Sequence, residues 1–317
     1  MLDFQVDAVI TWVNSKDPVW VEKYEQTTGR RFKQSKRFTL GDPEAELSNC
    51  LRCIRQNMPW LRKVFVVTMD QVPNCLQDEI LVTHAQLGLG PVFNSHAIET
   101  SLHHIPDLLE HFLYFNDDFF VVRKVYPSDF FHGPQLPRVR CPGRSFWRSF
   151  GSAIGFPTSA IGRAMRYTSK VVGVPNHGTL HHVPYALTKS LLSEAAQKLS
   201  VHWESTSKCA IRYKCRKEIV PIYAALMIHL KKGHKTESTK DDSIQLLYCN
   251  SRCRERIGSR HVVCLNSFYG TASELQEILE NTEAQPPLSY IHVVVIIAVG
   301  IVIGLVTLLY MKSTFLM

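Results

Sequence analysis

Residues 91–118 read PVFNSHAIETSLHHIPDLLEHFLYFNDD, and the interpretation of this run from Pro91 to Asp118 decides the fold. Ile98, Leu102 and Ile105 recur at the spacing of a core-facing helical stripe. The spacing predicts an amphipathic helix, with Glu99 and His103, four residues apart, sharing another of its faces. Pro106 ends that pattern. Phe112 to Phe115 then reads as a short buried strand that runs into Asn116, Asp117 and Asp118. In α/β folds ligands bind beyond the carboxyl ends of strands. Two adjacent aspartates placed there can hold a divalent cation against a diphosphate. A solvated turn with an Asn-Asp cap accounts for a bare NDD just as well.

Upstream, Asp7 to Val13 (DAVITWV) is β-branched and apolar, a buried strand ending in the polar turn Asn14 to Pro18. Gly29 to Arg37 is a basic loop that either closes over phosphates or is merely solvated. Pro43 to Gln56 carries Leu47, Leu51 and Ile54 on one helical face, and Pro59-Trp60 ends it. Val64 to Thr68 and Ile80 to Thr83 read as further strands, with His84 just after the second. Strand and helix alternate through this region, which argues for a mostly parallel sheet with flanking helices.

Downstream, residues 133–175 are rich in Gly, Pro, Ser and Arg and read as an irregular insertion or linker. Arg138, Arg140, Arg144 and Arg148 lie in it, facing an anionic acceptor or plain solvent. Leu187, Leu191, Leu192, Ala195 and Leu199 suggest a helix starting after Pro184, with His181 and His182 just before it. Helix N-termini suit phosphates, and a histidine there suits proton transfer, although most single histidines are structural. Ile219 to Leu230 is apolar but too short to span a bilayer, so it is expected as a core helix. Val262 to Leu265 reads as a late strand, and Ser273 with Gln276 as a capping box. The expected division is 1–132 and 176–285 as two parts of one catalytic unit, 133–175 between them, and 291–311 as a transmembrane helix.

The bulk numbers set bounds. The 317 residues are 45% hydrophobic and 20% charged, ordinary globular values. A formal net charge of +8 favours anionic ligands or an anionic surface. No Lys/Arg run is interleaved with aromatics, which argues against nucleic acid. Val293 to Met311 carries no charged residue and is long enough to cross a bilayer, with Tyr290 and Tyr310 near its ends. Lys312 after it directs the tail to the cytosol and the main domain to the lumen. No N-terminal signal precedes the first strand, so either the start lies outside this sequence or the protein is tail-anchored with its domain in the cytosol. Cys209/Cys215 and Cys249/Cys253 are spaced for short disulfides, which fits a lumenal domain. The absence of any Asn-X-Ser/Thr acceptor argues the other way. Cys50 and Cys53 form a CxxC without a partner motif, so zinc is not expected.

Taken together, DAVITWVNSKDP, ELSNCLRCIRQNMPWLRKVFVVTMDQVPNCL and the NSHAIETSLHH…FNDD run resemble the first two conserved regions of the Stealth family. This family of sugar-phosphate transferases includes bacterial capsule polymerases and an animal N-acetylglucosamine-1-phosphotransferase. LHHVPYALTKSLL with TSKCAIRYK is similar to the third region, and VVCLNSF, weakly, to the fourth. The resemblance implies a nucleotide-sugar-transferase-like α/β fold. It also implies transfer of hexose-1-phosphate, GlcNAc-1-phosphate in particular, from a UDP-sugar to a glycan or glycoprotein hydroxyl, with release of UMP in the Golgi or secretory pathway. Mg²⁺ or Mn²⁺ on Asp117 and Asp118 would neutralise the diphosphate, and Arg212 would clamp it. His182 would take the acceptor proton, with Asp118 as its rival. Asp7, Asn14 and Asp17 would hold nucleotide or metal. Asn94, Ser95, Glu99, His103 and Asn116 would line the donor pocket. A homodimer is left open.

The departures are Ser48 in place of an Arg after Glu46-Leu47, Ser267 in place of an Asp after Asn266, and Arg216 where an acidic residue is expected after Arg212. They keep two alternatives in view: an ordinary glycosyltransferase releasing UDP, and a non-catalytic glycan- or nucleotide-binding relative.

Overall fold

The computed structural model describes residues 4–33, 43–132, 136–141, 159–237, 246–250, 261–267 and 279. Its strands are β1 (Val6–Thr11), β2 (Leu61–Thr68), β3 (Ile80–Thr83), β4 (His111–Asn116), β5 (Phe119–Val121), β6 (Val139–Arg140), β7 (Tyr185–Thr188), β8 (Thr236–Glu237), β9 (Leu246–Asn250) and β10 (Val262–Ser267). Its α-helices are α1 (Pro18–Thr28), α2 (Pro43–Asn57), α3 (Ser95–Glu99), α4 (Ala160–Val172), α5 (Lys189–Lys198), α6 (Ser200–Ser207) and α7 (Pro221–Lys231).

The main sheet runs β3-β2-β1-β4-β7. β1 pairs in parallel with β2 and β4, and β2 with β3. β7 closes the edge antiparallel to β4, with Tyr114 opposite Tyr185. The expected mostly parallel α/β sheet is therefore present. Successive strand residues point to opposite faces, and both faces are covered. Ala8, Ile10, Val66, Leu113 and Phe115 pack on one side with Leu47, Leu51 and Ile54 of α2. Val9, Phe65, Phe112 and Tyr114 pack on the other with Leu192 of α5, Met165 of α4 and Tyr223 of α7. Coverage on both sides is why DAVIT reads as an unbroken apolar run rather than an alternating one. A smaller sheet, β5-β10-β9, starts just after the NDD turn and pairs β10 antiparallel to β5.

Several expectations need correction. The α-helix of the opening stretch is only Ser95–Glu99, followed by a separate 3-10 turn at Leu102–His104. Glu99 and His103 thus share no helix face. The segment after Pro184 is first a strand, β7, and the helix starts at Lys189, so His182 precedes a strand and has no helix end beside it. Leu187 was read with Leu191 as the start of the helical stripe, and pairing with β4 makes it part of a strand. The presumed linker contains α4, whose Met165 and Val172 join the core. Helix α1 was not anticipated at all. Asp17 caps it, accepting from Val19 N at 2.9 Å, and Pro18 opens it.

Residues 293–311, the Ser273/Gln276 helix, Cys253, Arg144, Arg148 and residues 34–37 of the basic loop lie outside the described residues. Among those described, no helix is long and apolar enough to cross a membrane.

Candidate active site

The carboxyl ends of the parallel strands bring four loops together. The first follows β1. Gln71, on the exit from β2, locks it from the side: its Oε1 accepts from Asn14 N at 3.0 Å, and its Nε2 donates to Asn14 O at 3.0 Å and to Asp17 Oδ2 at 2.8 Å. Asn14 Oδ1 accepts from Lys16 N at 3.0 Å. Asn14 and Asp17 therefore stand at the sheet's carboxyl edge as expected, in a loop of fixed shape.

The second is the turn after β4. Thr11 and Asn116 are register partners, which sets the NDD beside the β1 loop. Asn116, Asp117 and Asp118 are half-buried. Below the turn, Cys50 Sγ of α2 donates to Phe119 O at 3.3 Å. Burial, then Cys53, then Asp117 and Asp118 raise that thiol well above its usual range, so it stays a neutral donor. Cys264 of β10 donates to Asp118 Oδ2 at 3.7 Å, which brings that strand to the same turn.

The third loop carries His182. Its ring meets Phe119 edge-on at 5.9 Å, and Phe119 meets Tyr185 at 5.8 Å. The histidine predicted from a distant segment thus sits beside the NDD turn. The fourth carries Arg212, whose Nη1 donates to Ser95 Oγ at 3.0 Å. Its guanidinium also lies 5.0 Å from the centroid of the Tyr213 ring.

Two tyrosines join these loops. Tyr114 and Tyr185 stack at 6.2 Å across β4 and β7, and Tyr114 Oη hydrogen-bonds Thr11 Oγ1 at 3.0 Å. The Tyr114 hydroxyl is held well above its usual range, first by burial, then by Glu99 and Asp117, with Thr11 and Arg212 opposing. That of Tyr185 is raised by burial, then by Glu99, Tyr114, Cys264 and Asp118. Both stay protonated donors at neutral pH. Glu99 is buried and accepts one long bond, from Ile222 N at 3.4 Å. Burial raises its pKa, against the pull of His96, Ile222 N and Arg212.

Three predicted residues do not belong here. Asp7 lies near the amino end of β1, four residues or about 13 Å of strand before Thr11. Both its oxygens are occupied, by Arg62 Nε at 3.0 Å, Arg62 Nη2 at 2.8 Å, Lys63 N at 3.2 Å and Leu109 N at 2.8 Å. Its carboxylate is engaged by protein donors at the amino end of β1, away from the NDD turn. His103 is buried against Trp203, 6.2 Å between ring centroids. Burial, then His104 and Lys189, lower its pKa to about 4. Lys189 N bonds Glu110 O, so His103 sits towards the amino end of β4. Asn94 is 1% exposed, its side chain engaged by protein groups. Its Oδ1 accepts from His96 N, and its Nδ2 donates to Cys209 O and Glu218 Oε1.

Sequence reading missed Gln71, Tyr114, Tyr185, Cys264 and Glu218. The carboxyl-end rule that flagged β1 and β4 would also have flagged Gln71 after β2. Glu218 is a buried acidic residue six positions after Arg212, just beyond the loop that the Cys209–Cys215 disulfide closes. Among the described residues no three His, Cys, Asp or Glu side chains cluster as a metal cage. The adjacent carboxylates of Asp117 and Asp118 suit instead a cation that completes its shell with phosphate oxygens and water.

Residues 42–139 match the family model described as Stealth protein CR2, conserved region 2. An exopolysaccharide phosphotransferase of Streptomyces coelicolor is 33% identical over 90% of this chain and 54% of its own. A capsular polysaccharide phosphotransferase of Aeromonas hydrophila is 42% identical over 61% of this chain and 57% of its own. One from Neisseria meningitidis serogroup B is 37% identical over 49% of this chain and 45% of its own. The chain thus spans about half the length of the curated relatives it matches. The galactosyltransferase LgtC, solved with donor and acceptor sugar analogues, superposes with a TM-score of 0.43 at 11% identity, over 88% of this chain and 97% of that one, too loose a likeness to carry an argument. The matched second region contains β2 to β5, Ser95, Glu99 and the NDD turn, so the chain carries the second conserved region described for Stealth proteins and is similar in sequence to the polysaccharide phosphotransferases.

Proposed function

We propose that this chain transfers hexose-1-phosphate, GlcNAc-1-phosphate in the leading reading, from a UDP-sugar to a glycan hydroxyl and releases UMP. The observation that carries the reading is the meeting of the NDD turn with His182, more than sixty residues away, through Phe119 and Tyr185. The names of the relatives, phosphotransferases of capsular and extracellular polysaccharides, support the same reaction class.

The chemistry asks for three things, and the residues divide them. The acceptor oxygen attacks the phosphorus that bears the sugar, and the bond between the two phosphates breaks. His182 takes the acceptor's proton as that bond forms. Arg212, steadied by Ser95 and the Tyr213 ring, presents a planar fork of donors to the phosphate oxygens. Tyr114 and Tyr185, kept protonated, offer hydroxyl donors on a floor that excludes water. A bound Mg²⁺ or Mn²⁺, held by Asp117 and Asp118, would supply charge neutralisation to the diphosphate. The fixed loop of Asn14 and Asp17 borders the nucleotide side. We read the apolar residues 293–311 as a membrane anchor, which resistance to alkaline extraction would test.

A screen of UDP-sugars with Mg²⁺ or Mn²⁺, scored by the nucleotide released, tests the reading. UMP is expected. UDP would instead establish a glycosyltransferase. Binding of UDP-sugar without release of either nucleotide would establish a non-catalytic relative.

A further inference from the structure

Arg212 lies in a stretch without regular structure, between α6 and α7, yet an anion clamp is useful only if its guanidinium is already placed. The chain around it is held in several ways. The Cys209–Cys215 disulfide closes the loop. Phe93 N donates to Ala210 O at 2.8 Å, making a short parallel bridge from Phe93 to Ile211. Tyr213, next to the arginine, sits at φ 64°, a left-handed conformation that a side chain of its size adopts only under constraint.

Glu218 connects these pieces. It is 6% exposed, so it does not reach a ligand in solvent. Its Oε1 accepts from Asn94 Nδ2 at 3.1 Å and from His96 Nδ1 at 2.9 Å. Those two residues bracket Ser95, the partner of Arg212. The Tyr213 backbone N–H also donates to the Glu218 carboxylate. One carboxylate therefore grips the residue after the arginine and both neighbours of the serine that receives it.

The geometry points to Glu218 as a positioning residue, which sets Arg212 and Ser95 in register so that the site distinguishes a diphosphate from a monophosphate. The inference rests on the diphosphate reading of the site. It assigns Glu218 no contact with substrate and no proton transfer.

The test uses the full chain and two probes, UDP and UMP, with binding measured by calorimetry. The wild type should favour UDP. Glu218→Gln keeps the side chain's size but removes its charge. It should cut the UDP-over-UMP affinity ratio about tenfold, the scale of a lost charge-assisted hydrogen bond, and leave UMP affinity unchanged. Arg212→Ala should cut the ratio as far, and the double variant no further. Trypsin should also cleave after Arg212 faster in folded Glu218→Gln than in the wild type.

An unchanged ratio with unchanged trypsin resistance overturns the proposal. So does an equal weakening of both nucleotides alongside a lower unfolding temperature, which marks a general structural role. If the wild type itself fails to distinguish UDP from UMP, the diphosphate reading falls, and the trypsin comparison alone then decides whether Glu218 holds the loop.

Discussion

The two ends of the central sheet carry buried or half-buried carboxylates, and they use them in opposite ways. At the amino end, Asp7 receives donors from Arg62, Lys63 N and Leu109 N, and both its oxygens are committed. At the carboxyl end, Glu99 accepts a single long bond from Ile222 N, and its pKa is raised by burial. Asp117 and Asp118 stand half-buried on a turn whose floor is made of thiols and tyrosines. A carboxylate saturated by protein donors makes the fold. Glu99, with one long bond among the described residues, and the half-buried pair on the turn are the carboxylates that we assign to the ligand. Burial alone does not separate the cases. A cleft of about 300 Å³ beside Glu110, Glu194, His229 and Lys232 also opens at the amino end, so concavity does not separate them either.

The sharpest way to break this contrast is Asp7→Ala. It should destabilise the fold by about 3 kcal/mol, because it leaves Arg62 facing a buried gap, read as a shift in the urea midpoint. Turnover per folded molecule should stay at the wild-type level. Loss of activity without loss of stability would return Asp7 to the active site. The converse substitution, Asp118→Asn, should lower UMP release about 100-fold while leaving the urea midpoint in place. Wild-type turnover in that variant would remove the NDD turn from the chemistry.

A third test concerns histidines. Burial lowers the pKa of His84, His103 and His229 to about 4, below the ordinary 6.5. The unfolded chain therefore takes up protons that the folded chain refuses. Stability should be intact above pH 6.5 and fall as the pH drops towards 4, by up to about 1.4 kcal/mol per pH unit for each histidine. A urea midpoint flat from pH 7 to 4.5 would contradict it. The smallest expected effect is Gln71→Ala, which frees the β1 loop. We expect a loss near 1 kcal/mol and a rise in donor KM with little change in kcat. An unchanged KM would mean that this loop does not border the donor.

The parallel strands were legible because each is a short β-branched or aromatic run bounded by polar turns, and the boundaries of β3 and β4 fell within a residue or two. The place of the NDD turn was legible for the same reason: strand direction fixes where it must lie. Other features were hidden by long-range pairing. Leu187 shares helical spacing with Leu191, and its register with β4 places it in a strand. Asp7 matched the expected motif, but its partners, Arg62 and Leu109, lie 55 and 102 residues away. Glu218 lies outside the Cys209–Cys215 loop that holds Arg212, and its partners Asn94 and His96 are more than 120 residues away. Spacing along the chain could not show which donors a carboxylate had already found.

The antiparallel strand β7 has a consequence for biosynthesis. It is the last strand to join the main sheet, and it caps the side of β4 that faces away from β1. A ribosome that has released only residues up to about 132 has presented four parallel strands with β4 exposed along one edge. Such an edge is a template for pairing with another chain. The nascent protein is thus most exposed to self-association during the interval before Tyr185 to Thr188 emerges. The same strand that brings Tyr185 alongside Tyr114 ends that interval. Completion of the site and protection of the sheet are one event in time, so a truncation that spares the NDD turn but removes β7 should yield aggregates rather than a weakened enzyme.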